Sequence, residues 1–304
     1  MAEQESIAVL GAGAIGGVLA AALGDAGRSV TLCDRIGFDV LERTFEGETR
    51  SYHHPVITSP EGLEPVDWLL LCTKAHQVPG AGAWLDRLIG PGTRVGVMQN
   101  GVDHAARVKA FVDRDRVVPA IMLLPVNAPV PGKIVQLRAG HIQVPDTPDS
   151  REFADLFAPP STLTFELVAD FTSAAWSKLA FNAVGGAIGC LALQPLGALG
   201  KGSVRDLAMA LFEEVVAVGR AEGAVFPDDF AERTLALFSG PFAEHWESIA
   251  VDRREGRHME WQARNAVVGE MGRIHGIETP LNDAVTALLE AIDTRLQTPG
   301  EKIR

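Results

Sequence analysis

The sequence predicts an α/β fold with a doubly wound parallel sheet in its first half and an all-helical second half. Short apolar runs alternate with helical segments up to about residue 170, an alternation that is typical of a parallel sheet. A glycine-rich turn directly follows the first of these runs. Beyond residue 171 no strand pattern recurs, and the segments have helical periodicity. We therefore expect two domains, residues 1–170 and 171–304.

The first half is predicted to contain strands, short helices and one hairpin. Apolar runs predict strands at Ile7–Leu10, Ser29–Cys33, Asp67–Cys72, Arg94–Met98 and Val117–Leu124. Helices are predicted at Ala14–Ala26, closed by Gly27, and at Ala81–Ile89. Alternating polarity with a break at Glu46-Gly47 predicts a hairpin within Leu41–Ile57. A second antiparallel pair, Ile134–Leu137 with His141–Val144, is predicted across Gly140.

The second half is predicted to be helical throughout. Helical periodicity is found in Ser173–Leu193, Ser203–Ala221, Phe230–Leu237, Met259–Ile274 and Leu281–Leu296. Gly276 is expected to end a helix, and Thr279 and Pro280 to begin the next one. The longest apolar window contains Asn182 and Gln194, which favours a buried helix over a membrane span.

Composition narrows the class of protein. The 304 residues carry a net charge of −12 and no lysine or arginine run, which argues against a nucleic-acid partner. The three cysteines are far apart and form no C-x-x-C pair, which favours free thiols in a reducing compartment. The first residues do not resemble a signal peptide, so we expect a cytoplasmic protein with no membrane partner. The eight histidines form no ligand cluster, and we expect no metal.

The most informative motif is Gly11-Ala12-Gly13-Ala14-Ile15-Gly16, which has the G-x-G-x-x-G spacing. It lies between an apolar run and an alanine-rich helical segment. In this setting the first glycine permits a tight turn, the second permits close approach of a pyrophosphate, and the third permits close packing of helix on strand. The motif predicts a Rossmann-like dinucleotide site, for which the alternative is a tight turn without a ligand.

Four polar residues follow predicted strands directly and should therefore lie at the ligand-binding edge of the sheet. Asp34 and Arg35 end the second strand, where the adenosine ribose is recognised. The acidic group favours the 2′-hydroxyl of NAD and the arginine favours the 2′-phosphate of NADP, so this pair leaves both cofactors open. Lys74 and Asn100 follow later strands and are candidates for contacts with cofactor or substrate.

Lys178 is the leading catalytic candidate of the helical half. It lies in an otherwise apolar helical segment, and Asn182 is four residues further along the same face. Burial of a lysine lowers its pKa, which suits proton transfer, whereas the alternative is a lysine that reaches solvent from the helix edge. Glu260 is predicted to open a helix, where the dipole alone explains a carboxylate, and Ser248 lies upstream of it.

Taken together, these segments resemble those of the ketopantoate reductase (2-dehydropantoate 2-reductase) family over nearly the whole chain. The resemblance rests on Gly11-Ala12-Gly13-Ala14-Ile15-Gly16, Cys72-Thr73-Lys74-Ala75, Gln99-Asn100-Gly101-Val102, Trp176-Ser177-Lys178-Leu179-Ala180-Phe181-Asn182 and the stretch Ser248–Glu260. It implies a Rossmann domain, a helical substrate domain and a cleft between them. It also implies reduction of a 2-oxo acid by NADPH, with 2-dehydropantoate as the substrate in pantothenate biosynthesis.

The resemblance also implies roles for individual residues. Lys178 would be the general acid that protonates the carbonyl oxygen, and Glu260 would hydrogen-bond and orient the substrate hydroxyl. The residues that would position the substrate are Asn100, Asn182 and Ser248. Lys74 and Arg35 would lie on the cofactor side. An apolar helical domain of this kind is also compatible with a homodimer.

The chain departs from the family pattern at three positions. Gly186 and His245 stand where the family usually has asparagine, and Asp34 stands where an uncharged residue is common. The first two departures keep open a related reductase that acts on another 2-oxo acid. The third keeps NAD open beside NADP. A non-catalytic dinucleotide-binding sensor is the alternative from another class of protein.

Overall fold

The computed structural model describes residues 5–158 and 162–298. The chain divides into two compact units, Met1–Phe171 and Thr172–Arg304. The first unit has the parallel-stranded α/β architecture and the second is helical, so the predicted fold class is confirmed. None of the helices within the described residues is long and apolar enough to cross a membrane.

The first unit is built on a six-stranded parallel sheet with strand order β5-β2-β1-β6-β7-β8. Its strands are β1 (Ile7–Leu10), β2 (Val30–Cys33), β5 (Val56–Ile57), β6 (Trp68–Leu71), β7 (Arg94–Val97) and β8 (Val117–Pro119). Alternate residues of β1 belong to different core clusters, Ile7 and Val9 to one and Ala8 and Leu10 to the other. Both faces of the sheet are therefore covered, which explains the continuous apolar runs in its strands.

Two smaller sheets complete this unit. One is four-stranded, in the order β10-β11-β3-β4, and the other is three-stranded, in the order β13-β12-β9. Their strands are β3 (Leu41–Phe45), β4 (Glu48–Tyr52), β9 (Ile121–Leu123), β10 (Val126–Val130), β11 (Lys133–Gln136), β12 (Gly140–Pro145) and β13 (Leu163–Val168). The predicted hairpin is formed by β3 and β4, and its turn has positive φ angles at Glu46 and Gly47.

Two strand predictions are wrong. The run Val117–Leu124 forms two strands in different sheets, and the first of them ends at Pro119, a residue that has no N–H to continue a ladder. The predicted pair across Gly140 does not form, because β11 pairs with β10 and β3 while β12 pairs with β9 and β13. Gly140 is itself part of β12, where a Cβ would lie 2.6 Å from side-chain atoms of Leu124 and Leu163.

The helices of the first unit are α1 (Ala14–Asp25), α2 (Gly82–Leu88), α3 (His104–Val108) and α4 (Pro148–Asp155). Those of the helical half are α5 (Phe171–Phe181), α6 (Ala187–Ala192), α7 (Gly202–Ala221), α8 (Phe230–Ser239), α9 (Ser248–Arg254), α10 (Val267–His275) and α11 (Pro280–Gln297). The sequence patterns missed α3, α4 and α9, which are all short.

Two π-helical turns interrupt the predicted long helices. Asn182–Gly186 separates α5 from α6, and Gln262–Ala266 precedes α10. The two turns pack against each other, and the first also packs against α9. Such turns are rare and occur frequently at functional sites, and these two carry or adjoin most of the site residues predicted for this unit.

The ends of the last two helices follow the predicted signals in part. Gly276 ends α10 with a left-handed φ of 67°. Thr279 precedes α11, and Pro280 is its first residue, but the Thr279 side chain does not cap the helix. The carboxylate of Glu214 on α7 instead accepts the backbone N–H groups of Leu281 and Asn282, at 2.8 Å each. Because helix N-termini leave such donors unpaired, this carboxylate takes over the capping role.

Candidate functional site

The glycine turn joins β1 to α1 in close contact with the end of β6. Gly11 has a φ of +97°, and a Cβ on it would lie 2.7 Å from the backbone nitrogen of Thr73. A Cβ on Gly16 would lie 2.0 Å from the carbonyl oxygen of Gly11. At Gly13, by contrast, a Cβ would meet no atom within 4 Å. The first and third glycines are thus required by the protein itself, whereas the second borders open space.

Asp34 holds the glycine turn against the end of β2. Its Oδ2 accepts the backbone N–H of Ala12 at 2.7 Å, and its Oδ1 accepts that of Ile36 at 3.1 Å. Each carboxylate oxygen has a further lone pair, so a role for this residue in binding a ribose hydroxyl remains compatible with these bonds. Arg35 is exposed, and its side chain makes no hydrogen bond or ion pair with the described residues.

The ends of β6 and β7 are joined by Gln99, the first residue of the Gln99-Asn100-Gly101-Val102 motif, to which the sequence analysis assigns no role. Its Nε2 donates to the carbonyl oxygen of Thr73 at 2.7 Å and lies 3.1 Å from the hydroxyl of the same residue. Lys74 and Asn100 are the next residues along each chain segment, and both are half-buried. The predicted cofactor residues therefore lie at the carboxyl ends of four neighbouring strands, β2, β1, β6 and β7.

Lys178 is half-buried in the last turn of α5, where its Nζ lies 5.0 Å from the centre of the Phe181 ring. Burial lowers the pKa of Lys178. The carboxylate of Glu247 opposes this shift in pKa, and the guanidinium of Arg264 adds to it. A lowered pKa makes an ammonium a better proton donor near neutral pH, which is the property required of a general acid.

A buried ion pair that the sequence did not predict lies close to this lysine. Nη1 of Arg264 is 3.0 Å from Oε2 of Glu247, and both side chains are nearly inaccessible to solvent. Nη2 of Arg264 donates to the hydroxyl of Ser248 at 2.8 Å. Nε2 of His245 lies 3.4 Å from Oε1 of Glu247. Both predicted substrate residues therefore interact with this ion pair. Lys178 interacts electrostatically with Glu247 and Arg264, and Ser248 accepts a hydrogen bond from Arg264.

Burial by itself raises the pKa of Glu247, but its neighbours more than reverse that effect. The hydrogen bond from His245, the charge of Lys178, and the charge and hydrogen bond of Arg264 bring the pKa down to about 2. The carboxylate is therefore ionised at neutral pH, and it balances two cations in a part of the unit that is shielded from water.

Gly186 makes room for this pair. A Cβ at this position would lie 2.8 Å from Nη1 of Arg264, 3.2 Å from a methyl carbon of Ile249 and 3.7 Å from Oε2 of Glu247. The φ of Gly186 is −64°, so its backbone conformation does not itself require glycine. The requirement is the space that the guanidinium occupies.

Glu260 is buried, two residues before the second π-turn, and the chain on both sides of it is fixed by one carboxylate. Asp293 on α11 accepts the backbone N–H of Met259 at 2.8 Å and the indole N–H of Trp261 at 3.2 Å. Nδ1 of His258 lies 2.8 Å from the same carboxylate. Asn182, the remaining predicted substrate residue of this unit, is buried in the first π-turn.

Comparison with known proteins identifies the family. Residues 7–149 match the family model described as "Ketopantoate reductase PanE/ApbA", and residues 170–293 match the model of its C-terminal part. The chain belongs to the ketopantoate reductase family. The family resemblance read from its motifs is thereby confirmed.

Three members or structural neighbours illustrate the relationship. A 2-dehydropantoate 2-reductase from Caulobacter vibrioides is 42% identical over 94% of this chain and 98% of its own length. The crystal structure of a PanE/ApbA family ketopantoate reductase from Ralstonia eutropha JMP134 has a TM-score of 0.85 at 24% identity, covering 96% of this chain and all of that chain (100%). A structure of D-mandelate dehydrogenase with NADH and anilino(oxo)acetate has a TM-score of 0.86 at 22% identity, covering 96% of this chain and 100% of that chain. At these identities the two structures show the shared fold.

Four residues of this ketopantoate reductase family member make structural contacts at the site although the sequence analysis gives them no role: Gln99, Glu247, Arg264 and Asp293. Two of them carry a signal that could have been used. Arg264 and Asn265 are the polar residues of the otherwise apolar stretch 263–269, so Arg264 is a charged residue with apolar neighbours, as Lys178 is. Asp293 continues the buried stripe of α11, four residues beyond Leu289. Glu247 has no comparable pattern, since it precedes a seven-residue helix.

Proposed function

We propose that this protein reduces 2-dehydropantoate to pantoate with a hydride from NADPH. Its membership of the ketopantoate reductase family supports the reaction class, and the 42% identity to a 2-dehydropantoate 2-reductase supports the substrate. The observation that carries the proposal is Lys178, a lysine with a lowered pKa that lies among apolar residues of α5.

The first unit fits a nicotinamide dinucleotide. Gly11 and Gly16 fold the turn tightly, while Gly13 leaves room beside the start of α1. The first turn of this helix contains no acidic residue, so its unpaired N–H groups are suited to a pyrophosphate. The residues that would hold the cofactor are Gly11, Ala12, Gly13, Ala14, Ile15, Gly16, Asp34, Arg35, Lys74 and Asn100. When bound, the nicotinamide supplies the hydride.

In the proposed mechanism, Lys178 of the second unit protonates the 2-oxo acid. The ammonium of Lys178 hydrogen-bonds the carbonyl oxygen at C2 and gives it a proton as the C–H bond forms. The same positive charge stabilises the negative charge that develops on this oxygen. The carboxylate of Glu260 accepts a hydrogen bond from a substrate hydroxyl. The amides of Asn100 and Asn182 and the hydroxyl of Ser248 hold the remaining substrate oxygens.

Arg35 favours NADPH as the donor. It is exposed at the end of β2 and has no partner among the described side chains, so its guanidinium is available to a 2′-phosphate. Asp34 accepts two backbone N–H groups, so its presence is explained by the fold without requiring a free 2′-hydroxyl on the cofactor. The balance of these two residues therefore points to NADP over NAD.

The proposal is tested by steady-state kinetics with NADPH and NADH against a panel of 2-oxo acids. We expect 2-dehydropantoate to have the highest kcat/KM, on the order of 10⁴ M⁻¹s⁻¹ or more. We expect Lys178→Ala to lower kcat by roughly 10²- to 10⁴-fold, because it removes the general acid. The matched control is Lys201→Ala, which removes an exposed lysine of the same unit and should leave kcat unchanged.

Three outcomes would contradict parts of the proposal. Faster turnover of another 2-oxo acid would assign a different substrate. Binding of NADPH without turnover of any acid would indicate a sensor. Full activity of Lys178→Ala would remove this lysine from the mechanism.

A further inference from the structure

We propose that Arg264 is a positioning residue of the substrate site, which acts by orienting the hydroxyl of Ser248. This inference rests on the function proposed above, since it assigns a task to a residue beside the proposed substrate ligands. Arg264 is 2% exposed. Both of its terminal nitrogens are hydrogen-bonded within the protein, Nη1 to Glu247 and Nη2 to Ser248, so it acts through its neighbour.

The direction of the hydrogen bond defines what Arg264 does. A guanidinium has only donors, so the Arg264 Nη2–Ser248 Oγ contact of 2.8 Å requires the serine oxygen to accept. The hydroxyl proton of Ser248 is then left to be donated to another group. A hydroxyl prepared in this way is suited to the anionic or carbonyl oxygen of a 2-oxo acid. Without the arginine, the same hydroxyl is free to rotate and to accept from other donors.

Glu247 holds the arginine in this position. Its Oε2 lies 3.0 Å from Nη1 of Arg264, while Nη2 extends to Ser248, so the planar fork bridges the carboxylate and the hydroxyl. The charged or titratable groups acting on Glu247 are Arg264, Lys178 and His245. Removal of Glu247 would leave the guanidinium without a counter-charge, which is strongly unfavourable at a buried site.

Two of the positions at which the chain departs from the family pattern adjoin the same assembly. Gly186 leaves the space that Nη1 of Arg264 fills, and His245 contacts the carboxylate that holds Arg264. Both positions therefore lie against the Glu247–Arg264 pair.

A double-mutant cycle between Arg264 and Ser248 tests this role. Arg264→Lys keeps the charge but lacks the planar fork that spans Glu247 and Ser248, and Ser248→Ala removes the hydroxyl. We expect each single change to raise KM for 2-dehydropantoate about tenfold while kcat changes less than threefold. The double variant should be no worse than Ser248→Ala alone, since the arginine acts through the serine. The dissociation constant of NADPH, measured by fluorescence titration, should stay unchanged in all three variants.

Multiplicative effects on KM would overturn the proposal, because they would show that the two residues act independently. A decrease in both kcat and NADPH affinity in Arg264→Lys would also overturn it, because such a result would indicate that the variant disturbs the fold as a whole. If Arg264→Lys does not fold, Gly186→Ala replaces it in the same cycle, since its methyl group displaces Nη1. Failure of the wild-type protein to reduce 2-dehydropantoate would overturn the proposed function instead, so the two failures are distinguishable.

Discussion

At the scale of single residues, Arg35 gives the sharpest prediction about the cofactor. Charge-assisted hydrogen bonds to a phosphate contribute about 1.5–3 kcal/mol, or roughly 10- to 100-fold in affinity. Arg35→Ala should therefore weaken binding of NADPH by at least about tenfold and leave binding of NADH nearly unchanged. Titration of each cofactor measures this, with Arg114→Ala as the control for loss of an exposed arginine in the same unit. Equal losses for both cofactors would remove Arg35 from the 2′-phosphate role.

Candidate site residues could be selected from the sequence where a pattern makes them exceptional. Lys178 stands out in an apolar helix, and the glycine turn has its own spacing. The bond between Asp34 and Ala12 joins residues 22 positions apart, and that between Arg264 and Ser248 joins residues 16 apart. No local periodicity encodes such contacts, because they depend on which loops the fold brings together.

At the scale of elements, α11 is predicted to support the site although it carries none of the predicted site residues. Asp293 accepts hydrogen bonds on both sides of Glu260, and an asparagine would turn one of its acceptors into a donor. We expect Asp293→Asn to lower kcat/KM for 2-dehydropantoate about tenfold, with NADPH affinity unchanged. Glu290→Gln, an exposed change on the same helix, is the control.

A second variant separates positioning of Glu260 from a loss of stability. In a Glu260→Gln background, Asp293→Asn should cause little additional loss of kcat/KM, because the group it positions is already altered. An undiminished tenfold loss in that background would argue against the positioning role.

Whether a segment forms a helix or a strand could be predicted more readily than which strand it pairs with. The apolar run that became β8 and β9 was correctly assigned as extended, but its two parts pair with β7 and β12. Gly140 was interpreted as a turn because glycine often marks one, whereas here it allows two leucine side chains to pack closely. Hydrophobic patterning thus specifies burial and period, and leaves the choice of neighbouring strand to long-range packing.

At the scale of the whole molecule, the two units should lose stability in different ranges of acid pH. Burial and, to a lesser extent, the charge of Arg107 lower the pKa of His104 in the first unit to about 4. The unfolded chain then binds a proton that the folded unit does not, so stability falls as the pH drops from about 6.5 to about 4. Glu247 in the second unit has a pKa of about 2, so the stability contributed by its ionised form is lost as the pH falls from about 4.5 to about 2.

Hydrogen exchange at several pH values can follow the two units separately. We expect protection in the first unit to decline before protection in the second. His104→Gln, which keeps a donor for the carbonyl of Gln99, should flatten the decline between pH 6.5 and 4. The difference over this range should amount to about 3 kcal/mol. An unchanged pH dependence in that variant would exclude His104 as its source.

The space at Gly186 also constrains how this site can be redesigned. A side chain at 186 and the arginine at 264 cannot both occupy the observed positions, since a Cβ would come within 2.8 Å of the guanidinium. Any larger residue at 186 therefore requires the guanidinium to move. An asparagine at 186 would displace Nη1 from the carboxylate of Glu247 rather than add an amide to an unchanged site. A redesign that enlarges residue 186 must therefore also provide a new position for the arginine at 264.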